Sequence, residues 1–207
     1  MRFCGVSEAF GAGAAQVKLP SNRVTFIVRD VLPGLSREDQ EAAHMESWRR
    51  WSRVIGITVD KHPNTKTDVT QIVTVVNLGG PLGVLADQML PYGSGVNLRM
   101  RLDSSERWQV ADNPSQGMIN LLAVLTHENG HCLGMQHISA DGSADLMNAT
   151  YSPRIHSPQA DDISYGRKLY GPPIDGGSSP QVPVQKPITV TVEQDGKRWA
   201  GSLPRVA

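Results

Sequence analysis

The chain has 207 residues, 39% of them hydrophobic and 19% charged, and its 20 basic and 20 acidic residues leave no net charge. That length suits one domain of ordinary size with an appendage, and the balanced charge gives no electrostatic footprint for nucleic acid or an acidic membrane surface. No apolar run approaches the roughly 20 residues that span a bilayer, and two cysteines, Cys4 and Cys132, are too few for a disulfide framework.

The opening Met1-Arg-Phe-Cys4 lacks the apolar segment of a secretory signal. Residues 9–21 are small and Gly-rich, which suits a flexible or cleavable connector. Beyond it Val24, Phe26 and Val28 alternate on one face of a strand, and Pro33-Gly34 turns the chain. Ser36, with Asp39 three residues later, caps a helix on which His44, Trp48, Trp51 and Ile55 share a face. His44 reads there as a half-buried structural histidine. Strand patterns follow at 57–59, 69–76, 84–88 and 96–102, separated by Gly- and Pro-rich connectors. Strand, helix, several strands and a second helix make an α/β domain with a twisted, mostly parallel sheet over two helices.

The second helix is predicted from Gln116 onward, because Met118, Leu121, Leu122 and Leu125 recur at the spacing of one buried face. It runs into residues 127–137, His-Glu-Asn-Gly-His-Cys-Leu-Gly-Met-Gln-His. His127 and His131 stand one turn apart and can close on a single ion, while Glu128 falls beside that line, where a general base takes a proton from water. Gly134 can adopt a left-handed conformation and turn the chain back, which brings His137 round as a third imidazole. Three nitrogen ligands and an open fourth position describe a catalytic zinc site. Cys132 lies off the histidine line and reads as a small packed residue. Asn129 is a poor helix former where an apolar residue would pack better.

The chain closes with a third helix. Ser157 is placed as its N-cap and Pro158 at its first position, with Asp161 and Asp162 near its positive end and Gly171 as its stop. A Pro/Gly/Ser linker, 172–187, leads to two strand patterns that flank Asp195-Gly196, a hairpin signal.

The pattern His127-Glu-x-x-His-x-x-Gly-x-x-His137 is the signature of the metzincin zinc peptidases. The segment from Asp145 to Pro153 resembles the Met-turn and specificity loop of the matrixins, the matrix-metalloproteinase family. The resemblance covers roughly 21–171 and implies a zincin-like α+β domain. It would have a five-stranded, mostly parallel sheet, an edge strand beside the active-site cleft, two long helices and a C-terminal helix. It places Met147 beneath the zinc as packing support, and Tyr151 on the wall of the pocket for the side chain after the cleaved bond, where an ordinary packed aromatic is the other reading. Residues 83–97 are similar to the edge strand that pairs with extended substrate.

Cys4, Gly5 and Glu8 resemble the propeptide cysteine switch, in which a thiolate takes the open zinc position, although Phe3 and Ser7 depart from it. The alternative is an N-terminal cysteine without a role. By the same alignment the histidines of the family's second, structural zinc fall at Asp87 and Arg101, and arginine cannot ligate zinc, so one zinc is expected. Asp103 and Glu106 match a calcium-binding pair, but two carboxylates fall short of the six to eight oxygens calcium takes, which favours a solvated acidic turn, with one bound calcium as the other reading. In the family the second aspartate of the last helix can pair with a freed N-terminus; for Asp162 helix-end stabilisation is the preferred reading.

The expected organisation is a propeptide-like segment at 1–20, a peptidase domain at 21–171, the linker, and a hairpin-like tail at 188–207. The expected activity is that of a monomeric zinc endopeptidase acting on protein or peptide substrates, without nucleic-acid or membrane partners, secreted or extracellular as the resemblance implies. A catalytically inactive or latent peptide-binding module is the alternative, and hydrolysis of a non-peptide amide or ester is a third reading.

Overall fold

The computed structural model describes residues 18–63, 68–81, 83–138 and 144–174 in full, and the backbone alone of 3–6, 188–194 and 197–203. Most of the expected connector and of the Pro/Gly/Ser linker lies outside the described residues. Two compact units divide the chain at 174/175.

The first unit is built on a six-stranded sheet. In chain order its strands are β1 (Phe3–Val6), β2 (Arg23–Val28), β3 (Thr58–Lys61), β4 (Gln71–Val76), β5 (Val84–Gln88) and β6 (Leu98–Asp103), and across the sheet they run β1-β5-β6-β4-β2-β3. Every pairing is parallel except β5 with β6. The expected five strands are therefore present with a sixth, β1, laid along the outer side of β5 in the register Cys4 opposite Ala86. The strand read as the edge is covered by the chain's own N-terminal segment.

Alternation makes one face of the sheet apolar. Val24, Phe26 and Val28 of β2, Val73 of β4, and Leu98, Met100 and Leu102 of β6 are all buried. Helix α1 (Arg37–Ser52) packs against β2 and β3; helix α2 (Leu121–Cys132) packs against β5 and α1. Ser36 caps α1 as the sequence indicated, its hydroxyl oxygen accepting from Asp39 N at 3.0 Å. Trp48 and Trp51 are fully buried between the helices and the sheet. Each removes roughly 200 Å² of surface from water, a gross gain of about 5 kcal/mol. Both indole N–H groups are satisfied, Trp48 by Gln71 Oε1 at 3.1 Å and Trp51 by the Thr126 carbonyl at 2.8 Å. His44 is fully buried, not half-buried: Phe26 packs edge-on against its ring, and its Nε2–H donates to Gln71 Oε1 at 2.7 Å.

Two boundaries differ from the sequence reading. Helix α2 begins at Leu121 because the preceding Ile119–Asn120 (β8) pairs with Trp108–Gln109 (β7), and the Asn120 side chain accepts from Ala123 N as the N-cap. Met118 is left outside the helix. Helix α3 (Ala160–Tyr170) starts after Pro158, with Gln159 as its N-cap, because the Asp162 carboxylate accepts from Gln159 N at 2.7 Å. No helix among the described residues is long and apolar enough to cross a membrane. The second unit contains β9 (Ile188–Gln194) and β10 (Lys197–Leu203), antiparallel with Gln194 opposite Lys197, as a two-residue hairpin requires.

Candidate metal centre

Helix α2 is buried along its whole length, and its C-terminal end builds the site. The end is a Schellman turn: Met135 N donates to the Gly130 carbonyl at 3.0 Å and Gly134 N to the His131 carbonyl at 2.8 Å, with Gly134 at φ 91°. Only glycine adopts that φ without strain, so the predicted role of Gly134 is the observed one. The reversal carries His137 back onto the helix. It also points the Met135 carbonyl at His131, whose Nδ1–H donates to it at 2.8 Å.

His127 is held in the same manner from the other side. Its Nδ1–H donates to the Leu146 carbonyl at 2.6 Å. With the proton fixed on Nδ1 in both rings, the lone pair sits on Nε2, and the Nε2 atoms of His127, His131 and His137 converge at 3.0, 3.2 and 3.3 Å from one another. Metal–nitrogen bonds of roughly 2.0–2.1 Å in a tetrahedral site require nitrogens about 3.3–3.4 Å apart, so this donor set fits zinc. Burial keeps the imidazoles neutral. It pushes His127 down to about 3, with the Leu146 carbonyl opposing and His137 adding to the shift, and it lowers His131 and His137 as well. Glu128 is fully buried on the same turn as His127.

Met147 lies under this helix. A Cβ placed on Gly130 would overlap the Met147 sulfur and crowd Trp51 Cζ2 at 3.1 Å, so the glycine between the two histidines admits the methionine. Three ties to its backbone hold the turn: Ile138 N donates to the Met147 carbonyl at 3.1 Å, and the Asp162 carboxylate accepts from Leu146 N at 2.8 Å and Met147 N at 3.0 Å. Asp162 thus ties the N-terminus of α3 to the Met-turn, and through the Leu146 carbonyl to His127. The sequence reading had assigned it only the helix end or a freed N-terminus.

A family model described as matrixin matches residues 18–171. The chain belongs to the matrixin family. Among similar proteins, the interstitial collagenase of Sus scrofa is 29% identical over 193 residues, 87% of this chain and 39% of its own. Stromelysin-1 of Rattus norvegicus is 30% identical over 195 residues (88% and 39%), and matrix metalloproteinase-C of Caenorhabditis elegans 30% over 189 (81% and 32%). This matrixin chain spans under two fifths of the length of these relatives.

Membership implies zinc, and the three imidazoles are the one group of three or more candidate ligands among the described residues. Asp87 and Arg101, the positions that the resemblance matches to ligands of a second zinc, face each other across β5 and β6 as a two-pronged ion pair, Nε to Oδ1 at 2.8 Å and Nη2 to Oδ2. Asp103 is fully buried rather than solvated: Leu78 N, Ser105 N and the Ser105 hydroxyl all donate to its carboxylate. Glu106 is also buried. The Tyr151 hydroxyl accepts from Asn120 N at 2.7 Å, which pins the segment after the Met-turn to the start of α2. Cys132 is fully buried and its thiol pushed up by desolvation, in keeping with a packing role. β1 carries Cys4 alongside β5 and also approaches α2; the Cys4 side chain lies outside the described residues.

Asn129 takes part in a buried amide network with Ser47, Gln71 and Gln88. The sequence reading marked Asn129 as a poor fit to a helix interior but did not connect it to the glutamines. The signal available was three carboxamides inside otherwise apolar elements.

Proposed function

We propose that this chain is a zinc-dependent endopeptidase. The observation that carries the reading is the convergence of three Nε2 lone pairs, two of them fixed by Nδ1–H bonds to backbone carbonyls, beside the buried Glu128. His127, His131 and His137 would hold the ion. Zinc at such a site is a Lewis acid that acidifies water to a pKa of about 7 and polarises a carbonyl. Glu128 takes a proton from the attacking water and returns it to the leaving amine nitrogen. β5 receives the extended substrate backbone by strand addition, and Tyr151, fixed by Asn120, walls the pocket for the next side chain. Met147 supports the histidines through contact with Gly130.

The same reading includes latency. β1 occupies the side of β5 on which a substrate would add, and it brings the backbone of Cys4 opposite Ala86. A Cys4 thiolate is a softer ligand than water and would compete for the open position. The covered strand equally motivates the alternative, a peptidase-like module that holds peptide without cutting it.

One assay separates these. An unfolded protein substrate is incubated with the parent chain, Cys4→Ala and Glu128→Gln, each with matched zinc content. Glu128→Gln lowers turnover by about 100-fold or more, and Cys4→Ala raises it above the parent. Three equally inert, zinc-loaded proteins would overturn the peptidase reading in favour of the binding module. Equal turnover by parent and Cys4→Ala would remove the latch alone.

A further inference from the structure

Behind the metal-binding face of α2 lies a set of buried amides that the chemistry above does not use. Asn129 is two residues from both His127 and His131, about 200° round the helix from either, so it leaves α2 on the side away from the imidazoles. There its Oδ1 accepts from Gln71 Nε2 at 3.0 Å, and its Nδ2 donates to Ser47 Oγ at 2.9 Å. Gln71, the first residue of β4, also donates to Gln88 Oε1 at 2.8 Å, and Gln88 is the last residue of β5. The Gln71 oxygen accepts in turn from His44 Nε2 and Trp48 Nε1 of α1. One carboxamide therefore joins α1, β4, β5 and α2, and every side chain in the set is fully buried.

Stability alone does not call for this arrangement. Apolar side chains of the same volume would fill the space, and replacing both partners of a buried hydrogen bond by apolar groups is close to neutral. What hydrogen bonds add is direction: an amide meets its partners only in narrow angular ranges, so the set fixes the rotation of α2 about its axis and the position of β5 along the sheet. Those are the two elements whose relation matters to the proposed reaction. α2 carries Glu128 and two of the imidazoles, and β5 is the strand on which the substrate backbone would lie.

We infer that Asn129 and Gln71 are positioning residues, whose bonds hold α2 and β5 in one frame so that Glu128 meets the scissile bond at a fixed distance. The inference rests on the peptidase reading, and its test is arranged to stand apart from it. Asn129→Leu, Gln71→Met and the double variant are made in the full chain and compared with the parent. Zinc content, melting temperature, kcat and KM on an unfolded protein substrate, and the visible spectrum of the cobalt-substituted forms are measured.

The single substitutions leave an amide without its partner and lower the melting temperature. The double variant loses less than the sum of the two single losses, because the Asn129–Gln71 bond they share is removed from both sides. In the double variant kcat falls on the order of tenfold, the range in which groups that orient a metal site act, while KM stays within about twofold. Its cobalt spectrum differs from that of the parent. A double variant with parental kcat and an unchanged spectrum overturns the inference and leaves the network as satisfied packing. If the parent and Cys4→Ala both cleave nothing, the peptidase reading fails, and the spectra alone decide: a difference between parent and Asn129→Leu keeps the positioning role at the metal, and identical spectra remove it.

Discussion

His44 shows how one buried residue contributes to the acid sensitivity of the fold. Its Nε2–H bond to Gln71 favours the neutral form with the other lone pair on Nδ1, and burial lowers its pKa from 6.5 to about 4. Above pH 6.5 the ring is neutral in both folded and unfolded chains and contributes no pH dependence. Below it the unfolded chain takes up a proton that the folded chain refuses, so stability falls as pH drops from 6.5 toward 4, by about 3 kcal/mol from this group at the lower limit. A His44→Leu variant lacks that linkage. In urea unfolding its deficit relative to the parent should shrink by about 3 kcal/mol between pH 7 and pH 4, and a constant deficit would show that His44 is not the group responsible. Gly130 makes a steric argument of the same scale. Alanine there drives a methyl into the Met147 sulfur and Trp51, so Gly130→Ala should cost about 1–3 kcal/mol despite the better helix propensity of alanine, read from the unfolding midpoint. A stabilised variant would mean that the Met-turn yields freely, contrary to its three backbone ties.

Among elements, those read correctly from sequence carry their own local signals. α1 is declared by Ser36, Asp39 and two tryptophans on one face; the end of α2 by Gly134; β2 by its alternation. The signals that failed depend on partners distant in sequence. Met118 fits the helical period of α2, yet Ile119–Asn120 is drawn into pairing with Trp108–Gln109, and Asn120 caps a helix that begins at Leu121, five residues after the expected start at Gln116. Ser157 and Pro158 make a plausible helix start, but Asp162 selects Gln159 because its carboxylate is already committed to the Met-turn amides. The convergence of the three histidines is legible because four- and six-residue spacings on a helix and its turn are local geometry. The Asn129–Gln71–Gln88 network was not, because its members are 58 and 17 residues apart and only the fold brings them together. Local geometry also yields a test at this scale. Gly134→Ala forces φ 91° on a residue with a Cβ, at a cost of about 1–2 kcal/mol, and displaces the Met135 carbonyl from His131. Zinc affinity should fall along with stability; a loss of stability with unchanged affinity would separate the turn from the metal site.

For the molecule as a whole, the question is how much of its cohesion depends on metal. The antiparallel end of the sheet, where β5 meets β6, is tied by Asp87 and Arg101, and hydrogen bonding to Asp87 raises the Arg101 pKa further above its ordinary value. That tie is ionic, and it occupies the two positions that the sequence resemblance matches to ligands of a second zinc. The carboxylate of Asp103 accepts from Leu78 N, Ser105 N and the Ser105 hydroxyl, bonds with which a calcium ion would compete. The three imidazoles, by contrast, present their lone pairs to one another at 3.0–3.3 Å, an arrangement that an ion between them relieves. Binding confined to the folded state stabilises it by about 4 kcal/mol when free zinc exceeds its dissociation constant a thousandfold, which for a domain of this size is a rise of about 10 °C in melting temperature. Stripping with a chelator and titrating zinc back should therefore restore the melting temperature within one equivalent. A second equivalent, or millimolar calcium, should add nothing, because Asp87 is paired with Arg101 and the Asp103 carboxylate is hydrogen-bonded within the chain. Two tight equivalents in the titration would contradict the single-metal reading and point to a ligand set outside the histidine triad.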